Sequence, residues 1–245
     1  MTKDNIILSP QSSGRRSPLV LPEIKGFLET SFIDWRGQVA AVVFLPGCNF
    51  NCPYCHNHVL VHQPQTLETL PLTWILERLK SFQSWIDGVV VSGGEPTMHS
   101  GLPELLSVLR TAGFKTKLDT NGSQPQVLEQ LLTDNLLDMI SMDWKAPLDP
   151  LLFRRVSGVR ADLDNLRRSR DIIIGSGLDY EFRSTIWPAW HGRPELLRMR
   201  QELSNARCWT LQALTTQNLI QDLGPGQPYT SQELAALQME LAGSK

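Results

Sequence analysis

The chain has 245 residues, 41% of them hydrophobic, and 23 Lys and Arg stand against 25 Asp and Glu for a formal net charge of −2. That size and composition suit one packed domain. The balance of charge argues against a nucleic-acid partner or a polybasic membrane anchor, and no apolar run is long enough to span a bilayer.

Residues 1–22 are dominated by Pro, Ser and Gly around one short apolar stretch, Ile6 to Leu8. They predict a flexible N-terminal arm without a signal-peptide core, hence a cytoplasmic protein whose folded domain covers residues 23–245. Gln38 to Leu45 is Val-rich and apolar enough for a buried strand, and Leu67 to Phe82 has helical spacing. Gly88 to Ser92, Lys115 to Thr120, Met139 to Asp143, Tyr180 to Thr185 and Trp209 to Ala213 read as five further strands. Between them Leu102 to Ala112, Gln126 to Asn135, Asp162 to Gly175 and Pro194 to Ser204 read as helices. A last helix starts at Thr230, where Thr-Ser-Gln-Glu fits a capping box.

Six strand–helix units in series predict parallel strands joined by crossover helices. Six units are fewer than the eight of a closed barrel, so the expected fold is α/β, an open partial (β/α)6 TIM-like barrel. Its chemistry belongs in the loops that follow the strands.

The first of those loops is Leu-Pro-Gly-Cys-Asn-Phe-Asn-Cys-Pro-Tyr-Cys-His-Asn, which sets Cys48, Cys52 and Cys55 at C-x3-C-x2-C spacing. Three thiolates on one loop can take three corners of a 4Fe–4S cubane and leave the fourth iron open to a substrate. A structural zinc held by the three cysteines and His56 or His58, in a binding module without catalysis, is the alternative. Cys208 stands alone and reads as a small buried hydrophobe.

With Tyr54 in the aromatic position before the third cysteine, this loop resembles the signature of the radical S-adenosylmethionine (SAM) superfamily. The stretch from Gly26 to Asn57 is most like activating enzymes of glycyl-radical proteins, in particular those of anaerobic ribonucleoside-triphosphate reductases. Trp35-Arg36-Gly37 departs from the aromatic-Pro-Gly expected there. The resemblance implies a 4Fe–4S cluster, SAM bound to its open iron, and a flavodoxin or ferredoxin as reductant. SAM would be cleaved to methionine and a 5′-deoxyadenosyl radical, which takes a hydrogen atom from a glycine of a glycyl-radical enzyme. Radical chemistry on a small molecule, such as a deazapurine or a cofactor precursor, is the alternative substrate reading.

The same resemblance supplies candidate SAM contacts at successive strand ends. Tyr54 would lie near adenine, and Gly93, Gly94 and Glu95 would meet the methionine amino group. Asp119, Thr120, Asn121 and Asp143 would face the ribose and carboxylate, with Lys145 as a point charge on the carboxylate. His191 would approach that carboxylate too, and Gln212 could reach adenine or substrate. Asp119, Thr120 and Asp143 also make a candidate site for a monovalent cation. Finally, Phe27, Phe32, Ile33 and Trp35 crowd the segment Gly26 to Arg36. They form either a docking rim for the partner at the cluster face or core residues that plug the barrel bottom.

Overall fold

The structure, a computed structural model, describes residues 21–216, 219, 223–224 and 226–243. The expected arm at 1–22 therefore falls almost wholly outside the described residues. Seven strands form one sheet in sequence order: β1 (Gly26–Ser31), β2 (Ala40–Leu45), β3 (Gly88–Gly93), β4 (Lys115–Thr120), β5 (Met139–Asp143), β6 (Asp179–Ile186) and β7 (Trp209–Ala213). From β2 to β7 every neighbour pair is parallel, as six strand–helix units require. The strand missing from the sequence reading is β1, which pairs antiparallel with β2 and borders the sheet. Its run Gly-Phe-Leu-Glu-Thr-Ser lacks the continuous apolar character of a strand buried on both faces, which is what an edge strand permits.

Eight helices accompany the sheet among the described residues: α1 (His58–His62), α2 (Leu72–Ser81), α3 (Leu102–Thr111), α4 (Pro125–Thr133), α5 (Pro150–Ser157), α6 (Leu163–Gly175), α7 (Arg193–Glu202) and α8 (Ser231–Gly243). The expected helix from Leu67 starts only at Leu72, because the Leu70 N–H is taken by the Ile24 carbonyl beside β1. The short α1 and α5 escaped the sequence reading. For α5 a signal existed: Asp149 accepts from the Leu151 and Leu152 N–H groups, Pro150 is the first helical residue, and Gly158 closes the helix at φ 74°. Ahead of α8 the predicted capping box is present, with Glu233 Oε2 accepting from the Thr230 N–H and Thr230 Oγ1 accepting from the Glu233 N–H.

Alternation along the strands divides the molecule into two environments. One face carries Ala41, Val43, Leu45, Val89, Val91, Leu118, Ile140, Met142 and Phe182 into the large core shared with the helices. The other face lines the lumen. At the amino ends of the strands Trp35, Ala40, Val42, Val90 and Met139 form a small separate apolar cluster. Trp35 is 6% exposed, and its ring lies where a Cβ at Gly88 would have to go. The alternative of a bottom plug is therefore the correct one for Trp35, and Phe27 packs edge-on against Trp74. The β1–β2 connection sits at the amino ends, since Ser31 pairs with Ala40. Phe32 and Ile33, 75% and 90% exposed, thus lie at the end away from the cysteines, which excludes them from a rim at the cluster face.

Candidate active site

At the carboxyl ends the lumen opens into a cavity of about 330 Å³. Cys48, Cys52 and Cys55 line it from the loop after β2, with Tyr54 between the last two. Gly93, Gly94, Asp119, Thr120, Asn121, Asp143, Lys145 and Gln212 join them from the ends of β3, β4, β5 and β7. Positions far apart in sequence thus share one rim, because parallel strands bring all their carboxyl ends to one side.

The cysteine loop is held by backbone contact with the end of β3. Gly94 N–H donates to the Leu45 carbonyl at 2.9 Å and Glu95 N–H to the Gly47 carbonyl at 2.8 Å. Gly93 has φ 118°, and a Cβ on Gly94 would overlap the Gly47 carbonyl oxygen. The two glycines are required for this close approach, so their first role is to seat the loop. Asn57, which the sequence reading passed over, adds a side-chain bond from its amide to the Gly93 carbonyl at 2.8 Å.

Two expected SAM contacts stand behind the wall. Glu95 is fully buried and accepts from Thr97 N–H, Thr97 Oγ1, Thr120 Oγ1 and Asn121 N–H. Burial pushes its carboxyl up, against the pull of those donors. The carboxylate ties β3 to β4 and does not line the cavity. His191 is also fully buried. Its Nδ1 accepts from the Trp187 N–H at 3.0 Å, which leaves Nε2 to donate to the Lys145 carbonyl at 2.8 Å. Desolvation lowers its pKa, so it stands neutral and fixes the backbone that presents Lys145. It does not line the cavity, where the expected contact with the SAM carboxylate would place it. Trp187 and Trp190 are buried alongside His191.

The expected acidic strand ends are matched by cations within the protein. Arg183 on β6 bridges them, Nη1 to Asp119 at 3.3 Å and Nη2 to Asp143 at 3.2 Å. Lys145 Nζ lies 3.0 Å from the other Asp143 oxygen, and Lys117, with no exposed surface, donates to Asp119 and to the Asp34 carbonyl. Both carboxylates of the expected monovalent-cation site bond the Arg183 guanidinium. Burial raises the Asp143 carboxyl, but Lys145 and Arg183 outweigh it and leave the pKa below its ordinary range. Lys117 had a readable signal: Lys115, Lys117 and Asp119 alternate and so share one strand face. Lone lysines on strands read as solvent-facing, and only the closed lumen makes this one buried.

Three thiols from one loop line the cavity and could ligate a metal centre there. Burial raises each of their pKa values, Cys48 to about 11. Such thiols become thiolates when a metal centre takes the charge. Cys48 Sγ already accepts from the Phe50 N–H at 3.3 Å and from the Asn121 amide at 3.8 Å. Cys208, before β7, is outside the cavity.

The sequence profile of the Radical SAM superfamily matches residues 42–187. A protein of Methanocaldococcus jannaschii, provisionally named a glycyl-radical enzyme activating enzyme, is 35% identical over 129 residues, 51% of each chain. A 7-carboxy-7-deazaguanine synthase of Clostridium acetobutylicum is 30% identical over 112 residues, 45% of this chain and 49% of that one. The chain spans about half the length of these curated relatives or less. By fold, Streptococcus suis SuiB, in its crystal structure bound to the precursor peptide SuiA, superposes with TM-score 0.64 at 15% identity, over 82% of this chain and 44% of that one.

Proposed function

The chain belongs to the radical SAM superfamily, and from that premise we propose that it is a cytoplasmic activating enzyme that abstracts a hydrogen atom from a glycine of a glycyl-radical partner, of the anaerobic ribonucleotide reductase kind. The supporting observation is that a relative provisionally named a glycyl-radical enzyme activating enzyme is 35% identical over 129 residues of a chain whose cavity is lined by the three loop cysteines.

Cys48, Cys52 and Cys55 would hold the cluster as thiolates. When bound, a 4Fe–4S cluster and SAM supply the reductive cleavage that gives methionine and a 5′-deoxyadenosyl radical. The residues of this chain bind and orient. Lys145, its charge fixed by Asp143 and its backbone by His191, would face the carboxylate of SAM. The Tyr54 ring, wedged against Trp190 with centroids 6.0 Å apart, offers an apolar wall to adenine. Asp119, Thr120 and Asn121 would close the ribose side, and Phe50 and Val61, which line the same cavity, would help to exclude water from the thiols.

Small-molecule chemistry is the second reading. Arg183 Nε, a buried donor without a partner on the cavity wall, favours it, as does the similarity to a deazaguanine synthase. Anaerobic incubation of the reconstituted protein with SAM, a reductant and a glycyl-radical reductase decides between them. An electron paramagnetic resonance signal of a glycyl radical on the reductase is the expected result. SAM cleavage that the reductase fails to stimulate, but a purine-derived substrate accelerates, would favour the second reading.

A further inference from the structure

The cysteine loop has an outer side, and α5 with the turn after it covers that side. Asn51, between Cys48 and Cys52, donates its N–H to the Ser157 carbonyl at 2.9 Å. A Cβ on Gly158 would overlap the Asn51 carbonyl oxygen, and the Phe50 and Phe153 rings meet edge-on at 5.9 Å. One layer of protein therefore separates the thiols from solvent here.

That layer is basic. Arg154, Arg155 and Arg160 are all exposed, and none of them has an acidic partner among the described residues. The acids nearby in sequence are engaged: Asp149 and Asp162 cap α5 and α6, and Asp164 pairs with Arg167. Between Arg154 and Arg160 runs a groove of about 360 Å³ lined by Leu151, Phe153 and Leu163, with Leu151 80% exposed. Beside it the Arg155 guanidinium lies 5.9 Å from the Trp190 ring centroid, and the Trp190 ring lies 6.0 Å from that of Tyr54. Two ring contacts thus lead from an arginine on this face to the residue between Cys52 and Cys55.

We propose that this face is the docking site of an acidic one-electron carrier protein of the flavodoxin type. The proposal rests on the reading above, in which the chemistry at the cysteine loop consumes one electron from outside the chain. A flavin hydroquinone would lose that electron to become the semiquinone, its proton going to solvent, and the electron would be used as the sulfur–carbon bond of SAM breaks. Geometry separates this partner from the glycyl one. A hydrogen atom is taken only at near-attack distance, so the glycine must enter the cavity itself. An electron can cross one layer of side chains, so its donor can sit on the outer side while the cavity is occupied. Unpaired arginines around an apolar groove suit a negatively charged partner, which they would both steer and hold.

The test uses the cluster-loaded protein, a purified flavodoxin as probe, and the double variant Arg154→Glu with Arg160→Glu. Binding measured by surface plasmon resonance at low salt should weaken at least about tenfold in the variant. Affinity for the unaltered protein should fall steeply with added salt, and the variant's should barely change. SAM cleavage driven by dithionite, which needs no docking, should be equal in both. The charge-keeping variant Arg154→Lys with Arg160→Lys should bind within about threefold of the unaltered protein, because the sign of the surface is kept. Equal binding and equal salt dependence in the Glu variant would overturn the proposal, as would the same loss in both the Lys and Glu variants. Absence of dithionite-driven cleavage in the unaltered protein would instead sink the functional reading, while the binding data would still judge the face.

Discussion

The lumen of this sheet has two ends built on opposite principles. At the amino ends of the strands it is closed by packing: Trp35, Ala40, Val42, Val90 and Met139 fill it, and none of them is more than 7% exposed. At the carboxyl ends it is lined by charge: Lys117, Asp119, Asp143, Lys145 and Arg183 form one connected ion-pair network under the cysteine loop. The plug comes mainly from β2 and β3 and the charges from β4 and β6, with β5 giving Met139 to one and Asp143 to the other. The comparison teaches that the plug also serves the charged layer. Asp34, next to Trp35, gives its carbonyl to Lys117, so an ammonium with no exposed surface gains a hydrogen-bond acceptor from the closed end while Asp119 balances its charge.

The largest expected effect tests whether the open end is a cluster site at all. Replacing Cys48, Cys52 or Cys55 with Ala should reduce iron in the reconstituted protein from about four atoms per chain to nearly none, and Cys208→Ala should leave it unchanged. Equal iron loss in the Cys208 variant would place the ligands wrongly.

Next comes the closed end. Trp35→Ala empties a buried aromatic site and should lower stability by about 3–5 kcal/mol in urea denaturation. SAM cleavage per folded molecule should persist. Unchanged stability with loss of cleavage would reverse the roles of the two ends.

Asp143 probes the charged layer more gently. Asp143→Asn should weaken SAM binding about tenfold by releasing Lys145 and Arg183, with the cluster still in place. Titration of SAM against the cluster spectrum measures it. The pKa of this carboxyl is lowered in the fold, so its contribution to stability is present above the unfolded value of 3.8 and is lost as pH falls below that. The stability difference between the unaltered protein and the Asp143→Asn variant should therefore be full at about pH 6 and shrink below about pH 4. A difference that grows in acid would mean the carboxyl is not held by cations.

The smallest effect is expected outside both ends. Phe32→Ser and Ile33→Ser should change stability by no more than about 0.5 kcal/mol, because these side chains touch little. They should also leave any stimulation of SAM cleavage by a partner unaltered. A selective loss of that stimulation would show that the exposed tip reaches a partner after all.

The sequence by itself determined the architecture and the location of the chemistry. Continuous apolar strands alternating with helical stretches permit little but a parallel sheet, and three cysteines on one short loop need no tertiary information to be read as a metal site. It also named most of the cavity wall, because residues just after parallel strands must share one end. What it left undecided was the direction and company of each side chain. Glu95 and His191 stand in the expected loops, yet both point into the protein and hold the rim from behind. Lys117 and Arg183 stand mid-strand, where alternation gives a face but not whether that face is closed. Phe32 and Trp35 are three residues apart, and one is exposed while the other is buried. A local pattern fixes backbone geometry through short-range sterics and hydrogen bonding. Burial and ion pairing depend on what distant strands bring to the same place, and only the assembled sheet decides that.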